Sequence, residues 1–274
     1  MIALVDVGAA YGEIREEIDA AVKAILSSGW YIGGPAVEGF ESDYAKFCGA
    51  AACVGVGNGL EALALSLRAL GVGEGDEVIV PANTYIASWL AVSMVGAVPV
   101  PVEPDPATYC IDPARIVSAI TPATRCIMPV HLYGHPCDMD AIMPIAREHG
   151  LIVVEDAAQA HGAMIGDRPI GTHGDAIAWS FYPTKNLGAF GDAGAVTTND
   201  AALADLLADG FPVVLQGFLP DTPIPSVDVD NVSGARLAVA HLLAAGHREI
   251  ACITNAALAY TAATERLEGY RSAL

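Results

Sequence analysis

Apolar residues recur at two different periods along this chain of 274 residues, and the switch between them divides it. Near the N-terminus Ile14, Ile18, Val22 and Ile25 fall three or four positions apart, and Val37, Phe40, Tyr44 and Phe47 repeat that spacing before Gly49. Each set lines one side of an α-helix, so the pattern predicts two amphipathic helices. From Ala52 the apolar runs shorten. Segments 52–56, 77–80, 98–102, 125–130 and 151–155 alternate with stretches of helical spacing, which is the pattern of a doubly wound α/β sheet. Segments 175–181 and 193–198 follow so closely on one another that an antiparallel, hairpin-like pair is allowed, which brings the expected sheet to seven strands.

The chemistry-bearing residues gather between Leu151 and Val196. Leu151 to Val154 are apolar and run from Gly150 into Glu155 and Asp156, which predicts a buried parallel strand ending in carboxylates. Ligands of open α/β sheets sit at such strand ends. Further on, Ser180 and Lys185 lie in SFYPTK, where Phe181, Tyr182 and Pro183 flank the lysine and a glycine-rich turn follows it. A lysine among apolar groups loses part of the hydration that favours its ammonium form, and the neutral amine can capture an aldehyde as a Schiff base. A carboxylate such as Asp156 could hold a pyridinium nitrogen protonated, which is what a protein supplies to pyridoxal phosphate. The same residues also read as an exposed loop lysine and a helix cap.

Three further sites carry alternatives. In VGVGNGLEAL, Gly55, Gly57 and Gly59 let backbone approach a ligand, and the helix that follows offers N–H groups to an anion such as phosphate. The turn is equally a tight strand-to-helix connection, and it lacks the GxGxxG spacing of a dinucleotide fingerprint. Tyr85, in PANTYIASW, sits at the next strand end, either packed in the core or laying its ring on a cofactor. His131 and His135 have the i, i+4 spacing of a metal pair, but Gly134 and Pro136 deny them a regular helix, so no metal site is expected. No GxSxG nucleophile elbow is present.

Composition adds a compartment and excludes some partners. At 53% hydrophobic and 16% charged residues the chain can bury a sizeable core, as one large domain or two smaller ones. Thirty-two acidic against 13 basic residues leave a formal charge of −19 with no basic cluster, which argues against nucleic acid or an anionic membrane as partner. Cys48, Cys53, Cys110, Cys126, Cys137 and Cys252 form no CxxC pair and fall mostly in apolar segments, as reduced thiols of a cytoplasmic protein would. The N-terminus lacks the basic start and long apolar run of a signal peptide. Residues 78–102 carry no charge, yet Pro81, Asn83, Thr84, Pro99 and Pro101 break them into strand, loop, helix and strand, not a membrane span.

GNGLEAL, VPANTYIASW, PVHLYGHP, VEDAAQAHGA and SFYPTKNLGAFGDAGAV, in this order, resemble the DegT/StrS family of pyridoxal-phosphate sugar aminotransferases. The resemblance covers residues 1–210 and implies the large domain of the aspartate-aminotransferase-like fold, PLP fold type I. It implies that Lys185 carries pyridoxal 5'-phosphate as a Schiff base and that Asp156 pairs with the pyridine nitrogen. Gln159 would contact the ring hydroxyl, Tyr85 would stack on the ring, and Ser180 with the Gly59 and Leu60 backbone would hold the phosphate. Many members have threonine where this chain has Leu60, so a hydroxyl contact is lost while the backbone contacts stay. The GNGL form resembles members that aminate C3 of dTDP-linked 3-oxo-6-deoxyhexoses, with glutamate as donor and a homodimer as the working unit. Lys185, where a smaller branch has histidine, argues for transamination over dehydration.

After Gly210 the resemblance changes. VDVDN, a helix over 235–245 and GHREIACI as a strand resemble the effector domain of LacI/GalR-type regulators, a periplasmic-binding-protein-like α/β fold. The expectation is therefore a chimera of two incomplete domains, 1–210 and 211–274, with the rest of the aminotransferase missing and activity reduced or lost. A ligand-binding regulator fragment is the alternative function.

Overall fold

A computed structural model describes residues 6–209, 215–216, 226–227, 231–248, 250–252 and 261–274. Its strands in chain order are β1 (Ala52–Val56), β2 (Glu77–Pro81), β3 (Val98–Val102), β4 (Thr124–Ile127), β5 (Ile152–Asp156), a small hairpin of β6 (Met164–Ile165) and β7 (Arg168–Pro169), β8 (Ala176–Ser180) and β9 (Gly194–Thr198). Seven of them build one sheet in the order β1-β9-β8-β5-β4-β2-β3. The pairs β2–β3, β2–β4, β4–β5 and β5–β8 are parallel, and β9 runs antiparallel to both β8 and β1. The expected strands and their mostly parallel arrangement are found, including the reversal at the last pair.

Two local departures have simple causes. The fourth strand ends at Ile127, short of the expected 130, because Pro129 has no N–H to continue the ladder. Its path still follows the sheet: Met128 N–H donates to Ile79 O at 2.8 Å, and Val130 bridges to Asp156. In edge strand β3, the valines bond to the β2 side while Pro99 and Pro101 fall on the opposite parity, so their missing donors face the open edge.

Helices α1 (Val7–Glu13) and α2 (Arg15–Ser28), which bury none of their residues, precede α3 (Pro35–Cys48), α4 (Gly59–Ala69), α5 (Ile86–Met94), α6 (Pro113–Ala119), α7 (Met139–His149) and α8 (Ala201–Asp209), which cover both faces. On one face α3 packs against Ile177 and Trp179, and α6 and α7 against Ile79, Ile127 and Val153. Trp179 Nε1 donates to Thr197 Oγ1 at 2.8 Å, which satisfies the polar atom of the largest fully buried side chain. On the other face α4 lies over β8 and β9 and contacts α5 and α8, burying Leu63, Leu67, Ala91, Val92, Leu203 and Leu207. The two expected amphipathic helices form as α2 and α3. Their stripes fare differently: α3 buries Tyr44, Ala45 and Cys48, whereas α2 buries none of its residues within the chain.

The chain separates into two compact units, Met1–Gly210 and Phe211–Leu274. In the second, β10 (Leu215–Gln216) pairs parallel with β11 (Ser226–Val227), and α9 (Asn231–Ala244) packs on α10 (Thr261–Ala273). The expected helix is thus present and starts four residues earlier, at Asn231. Most of VDVDN, at 228–230, lies outside the described residues. The expected strand over GHREIACI is not formed by its described residues. Gly246 and His247 turn back to donate to Leu243 O and Leu242 O, and Ile250 O accepts from the Tyr270 hydroxyl at 2.7 Å. These bonds take the backbone groups a strand would need.

All six cysteines are free, five of them buried and Cys252 half-buried. Burial pushes the thiols of Cys48 and Cys53 up to about 12. Among the described residues no helix is long and apolar enough to cross a membrane.

At the end of β5, Glu155 is fully buried and accepts twice: from His131 Nε2 at 2.8 Å on one oxygen and from the Gly174 N–H on the other. Glutamine in its place has one acceptor oxygen and would turn an NH2 toward one of two donors. Glu155→Gln should therefore cost about 1–3 kcal/mol for the buried donor left without a partner, read as a lower urea midpoint at unchanged slope.

Candidate active site

The site is built where the sheet's parallel strands end. Strand geometry sends successive side chains to opposite faces, so Glu155 and Asp156 part company at the tip of β5. Glu155 joins Ile177 on the α3/α6/α7 face, and Asp156, in register with Ala178, points to the α4/α5 face. Ser180 lies two residues beyond Ala178 on that same face, which puts its Cα roughly 8 Å from that of Asp156 by strand rise and spacing.

Asp156 is buried and its carboxylate is held at both oxygens. Ser88 Oγ, from α5, donates to Oδ2 at 2.7 Å, and Ala158 N–H donates to Oδ1 at 3.2 Å. Its backbone is fixed on the other side, with its N–H given to Pro129 O at 2.9 Å and its carbonyl accepting from His131 N–H at 3.0 Å. The helix-cap alternative for Asp156 does not apply, since no helix begins there.

The glycine turn after β1 becomes the start of α4. Asn58 caps the helix by accepting from Glu61 N–H at 2.9 Å, and no described residue accepts from the N–H of Gly59 or Leu60. Gly59 approaches Ser180 so closely that an added Cβ would stand 2.6 Å from Ser180 Cβ. Two free N–H groups and a buried hydroxyl thus converge at one helix N-terminus, the arrangement that holds an anion. Gly194, on β9, gives the turn its room from below: a Cβ there would lie 2.5 Å from the Asn58 carbonyl.

Lys185 is half-buried in the turn after β8, its N–H donating to Tyr182 O at 2.8 Å. The apolar setting expected around it is only partly present. Phe181 is buried, but Tyr182 and the following Leu187 and Phe190 are exposed, because Phe181 turns into the cluster beneath the sheet while the glycine-rich turn faces outward. Tyr85, at the N-cap of α5, is 70% exposed, so its ring is not core packing. Gln159 Oε1 accepts from Tyr133 N–H at 2.7 Å. This commits the amide oxygen and leaves the NH2 end to donate. Tyr133 pays for that contact with a left-handed φ of 57°.

Both nitrogens of His131 are used: Nδ1 accepts from Cys137 N–H at 3.0 Å, so Nε2 carries the proton it donates to Glu155. His131 and His135 form no shared ligand pair, and among the described residues no group of three His, Cys, Asp or Glu is arranged to hold a metal.

Sequence reading missed Ser88, Thr84 and His161. For Ser88 a signal existed: it is a buried serine in a helix that, apart from Ser93, is apolar and starts at a strand end. His161 lies against Trp179 and Phe181, with Nδ1 bonded to Asn186 Oδ1 at 2.8 Å and a buried Nε2 without a protein partner. Burial lowers its pKa from 6.5, and the nearby Lys185 ammonium pushes the same way against the Asn186 bond.

Two outcomes follow from these contacts. Gly59→Ala should lose about 1–3 kcal/mol, because backbone or Ser180 must move to admit the methyl, and a urea melt reads this directly. For His161 the unfolded chain takes up a proton below about pH 6.5 that the folded chain refuses, so stability is full above that pH and falls below it. His173, also lowered by burial, acts with the same sign. His161→Phe should flatten the decline in urea midpoint from pH 7 to pH 5, and an unchanged decline would exclude His161 as its source.

Residues 12–209 match the DegT/DnrJ/EryC1/StrS aminotransferase family. The erythromycin biosynthesis sensory transduction protein EryC1 of Saccharopolyspora erythraea is 57% identical over 204 residues, 74% of this chain and 56% of that protein. The dTDP-3-amino-3,4,6-trideoxy-alpha-D-glucose transaminase of Streptomyces venezuelae is 56% identical over 206 residues, 75% of this chain and 54% of that one. The chain spans about half the length of the curated relatives it matches. Among solved structures, S. venezuelae DesV in complex with a ketimine intermediate is 48% identical with a TM-score of 0.75, covering 89% of this chain and 70% of that chain. NtdA of Bacillus subtilis with bound cofactor PMP is 32% identical with a TM-score of 0.70, covering 85% of this chain and 57% of that chain. With the match running through most of the first compact unit, this chain belongs to the DegT/DnrJ/EryC1/StrS aminotransferase family.

Proposed function

We propose that this chain binds pyridoxal 5'-phosphate and transfers an amino group from glutamate to a dTDP-linked 3-oxo-6-deoxyhexose. The observation that carries this reading is the shared face on which the Asp156 carboxylate and the Gly59–Ser180 anion cradle sit, with Lys185 in the turn that follows Ser180. The cradle suits a phosphate, since the N–H groups of Gly59 and Leu60 lie at the start of α4 beside the Ser180 hydroxyl, with Gly59 so near that a Cβ would stand 2.6 Å from Ser180 Cβ. The pinned carboxylate fits a protonated ring nitrogen. The names of the relatives support the substrate class: transaminases of dTDP-amino sugars include those from S. venezuelae, from Aneurinibacillus thermoaerophilus at 55% identity and from Micromonospora megalomicea at 48%.

Bound there, the cofactor supplies an electron sink for the carbon that loses or gains nitrogen. The residues do the rest. Gly59 and Leu60 N–H with the Ser180 hydroxyl would hold the phosphate, Asp156 the pyridine nitrogen, Gln159 Nε2 the ring hydroxyl, and the Tyr85 ring one face. Lys185 Nζ would anchor the aldehyde carbon and, once displaced by the donor amine, move a proton at the carbon bearing the transferred nitrogen.

A homodimer is part of the reading. It is supported by α2, whose Ile14-side stripe stays exposed together with Trp30, Tyr31 and Ile32, the last at 86%, as a surface shaped for a second copy would be. The six free cysteines support a cytoplasmic protein, and the net charge of −19 supports the reading without nucleic acid or anionic membrane partners. For residues 211–274 the alternative reading, a LacI/GalR-type ligand-binding fragment, rests on the sequence resemblance alone, and the lack of a strand in the described residues of GHREIACI speaks against it.

Borohydride reduction of the loaded protein followed by peptide mapping should place the adduct on Lys185; an adduct on Lys23 or Lys46 would sink the assignment. Asp156→Asn should keep the cofactor and slow single-turnover amino transfer by about 10–100-fold, the worth of one charged hydrogen bond. Assay of nucleotide-linked keto sugars with glutamate tests the substrate. In hydrogen exchange, α9 and α10 should open together and before β5; protection equal to that of β5 would refute an independent tail. The junction expected to be open runs from Asp209 to Val214; Asp209 closes α8 and the rest lies outside the described residues.

A further inference from the structure

The Asp156 carboxylate is not aimed by its own backbone alone. Ser88 is fully buried on α5, and its hydroxyl reaches Asp156 Oδ2 at 2.7 Å. One helical turn earlier, Thr84 Oγ1 lies 2.8 Å from Ser88 Oγ. The directions of these two bonds are fixed by chemistry. An ionised carboxylate only accepts, and a serine hydroxyl has one proton to give. Ser88 must therefore spend its proton on Asp156 and accept the proton of Thr84.

The result is a one-way chain, Thr84 to Ser88 to Asp156. The opposite oxygen, Oδ1, takes the Ala158 N–H. With one donor on each oxygen, arriving from α5 on one side and from the residues after β5 on the other, the carboxyl plane cannot rotate without breaking a bond. Its remaining lone pairs keep a set direction. Thr84 also neighbours Tyr85, so the segment that presents the exposed tyrosine ring starts the chain that orients the carboxylate.

We infer that Ser88, backed by Thr84, is a positioning residue that aims Asp156 at the pyridine nitrogen of the cofactor. The inference rests on the proposed function, because only a ring nitrogen at Asp156 gives the orientation a purpose. It assigns no chemistry to Ser88, which touches the carboxylate and not the cofactor.

The test uses the full chain freed of cofactor, titrated with pyridoxal phosphate and with 1-deazapyridoxal phosphate, which has carbon where the ring nitrogen stands. Ser88→Ala should raise the pyridoxal phosphate Kd about tenfold, equivalent to about 1.4 kcal/mol, and leave the deaza analogue's Kd within about twofold of the parent. Ser88→Thr, which keeps the hydroxyl, should return pyridoxal phosphate binding to within about threefold. Thr84→Val should show the pattern of Ser88→Ala at smaller size. Equal losses for the two cofactors would mean that Ser88 only supports the fold, and no loss for either would mean that Asp156 needs no such help; each overturns the inference alone. A parent protein that takes up neither cofactor would overturn the function reading, and the inference with it.

Discussion

A β-strand cannot place two consecutive side chains on the same face, and at the end of β5 that rule falls on two carboxylates. Glu155 goes inward to the α3/α6/α7 side, where His131 and Gly174 satisfy it at zero exposure. Asp156 goes to the α4/α5 side, where Ser88 and Ala158 hold it. The same backbone thus anchors a structural network on one face and presents the Asp156 carboxylate on the other. The two are mechanically joined, since His131 uses its side chain on Glu155 and its N–H on the Asp156 carbonyl. Two adjacent carboxylates would repel if they shared a face; separating them across the sheet removes that cost and gives each its own donors.

The rest of the candidate site depends on close approach. Gly59 and Gly194 let the start of α4 settle between β8 and β9, which brings helix N–H groups beside Ser180. The antiparallel β9 makes this possible, because it carries the chain back between β8 and β1 and so places the β1–α4 turn one strand away from Ser180. Anion cradle and carboxylate are then held by different strands of a single rigid sheet, a stiffer arrangement than two loops could provide.

Much of this was legible in the sequence because burial on both faces leaves a plain record: short apolar runs between helical ones. The seven strands and the carboxylate tip follow from it, while the site roles came from the resemblance to a family. What escaped depends on partners distant in the chain. The stripe of α2 announces a helix but not what covers it. The residues around Lys185 are apolar, yet three of them face outward, since apolar type does not state direction. Ser88 carried only a faint signal, for one of two serines in a mostly apolar helix becomes meaningful only when a strand 68 residues away brings Asp156 to it. Among the described residues of the strand expected over 246–253 none is formed, because local apolar character cannot supply a neighbouring ladder, and the described backbone there bonds to α9 and α10 instead.

The prolines of β3 have an effect beyond their own ladder. A sheet edge is a template on which another chain can add a strand, and the first unit of this protein also leaves large apolar side chains uncovered. At the β3 edge, however, an incoming strand would meet the pyrrolidine rings of Pro99 and Pro101 in the two places where it needs hydrogen-bond donors. That side of the sheet is closed to templated growth. The opposite edge, β1, is guarded by other means: the Glu41 carboxylate of α3 takes the Gly55 N–H at 2.7 Å.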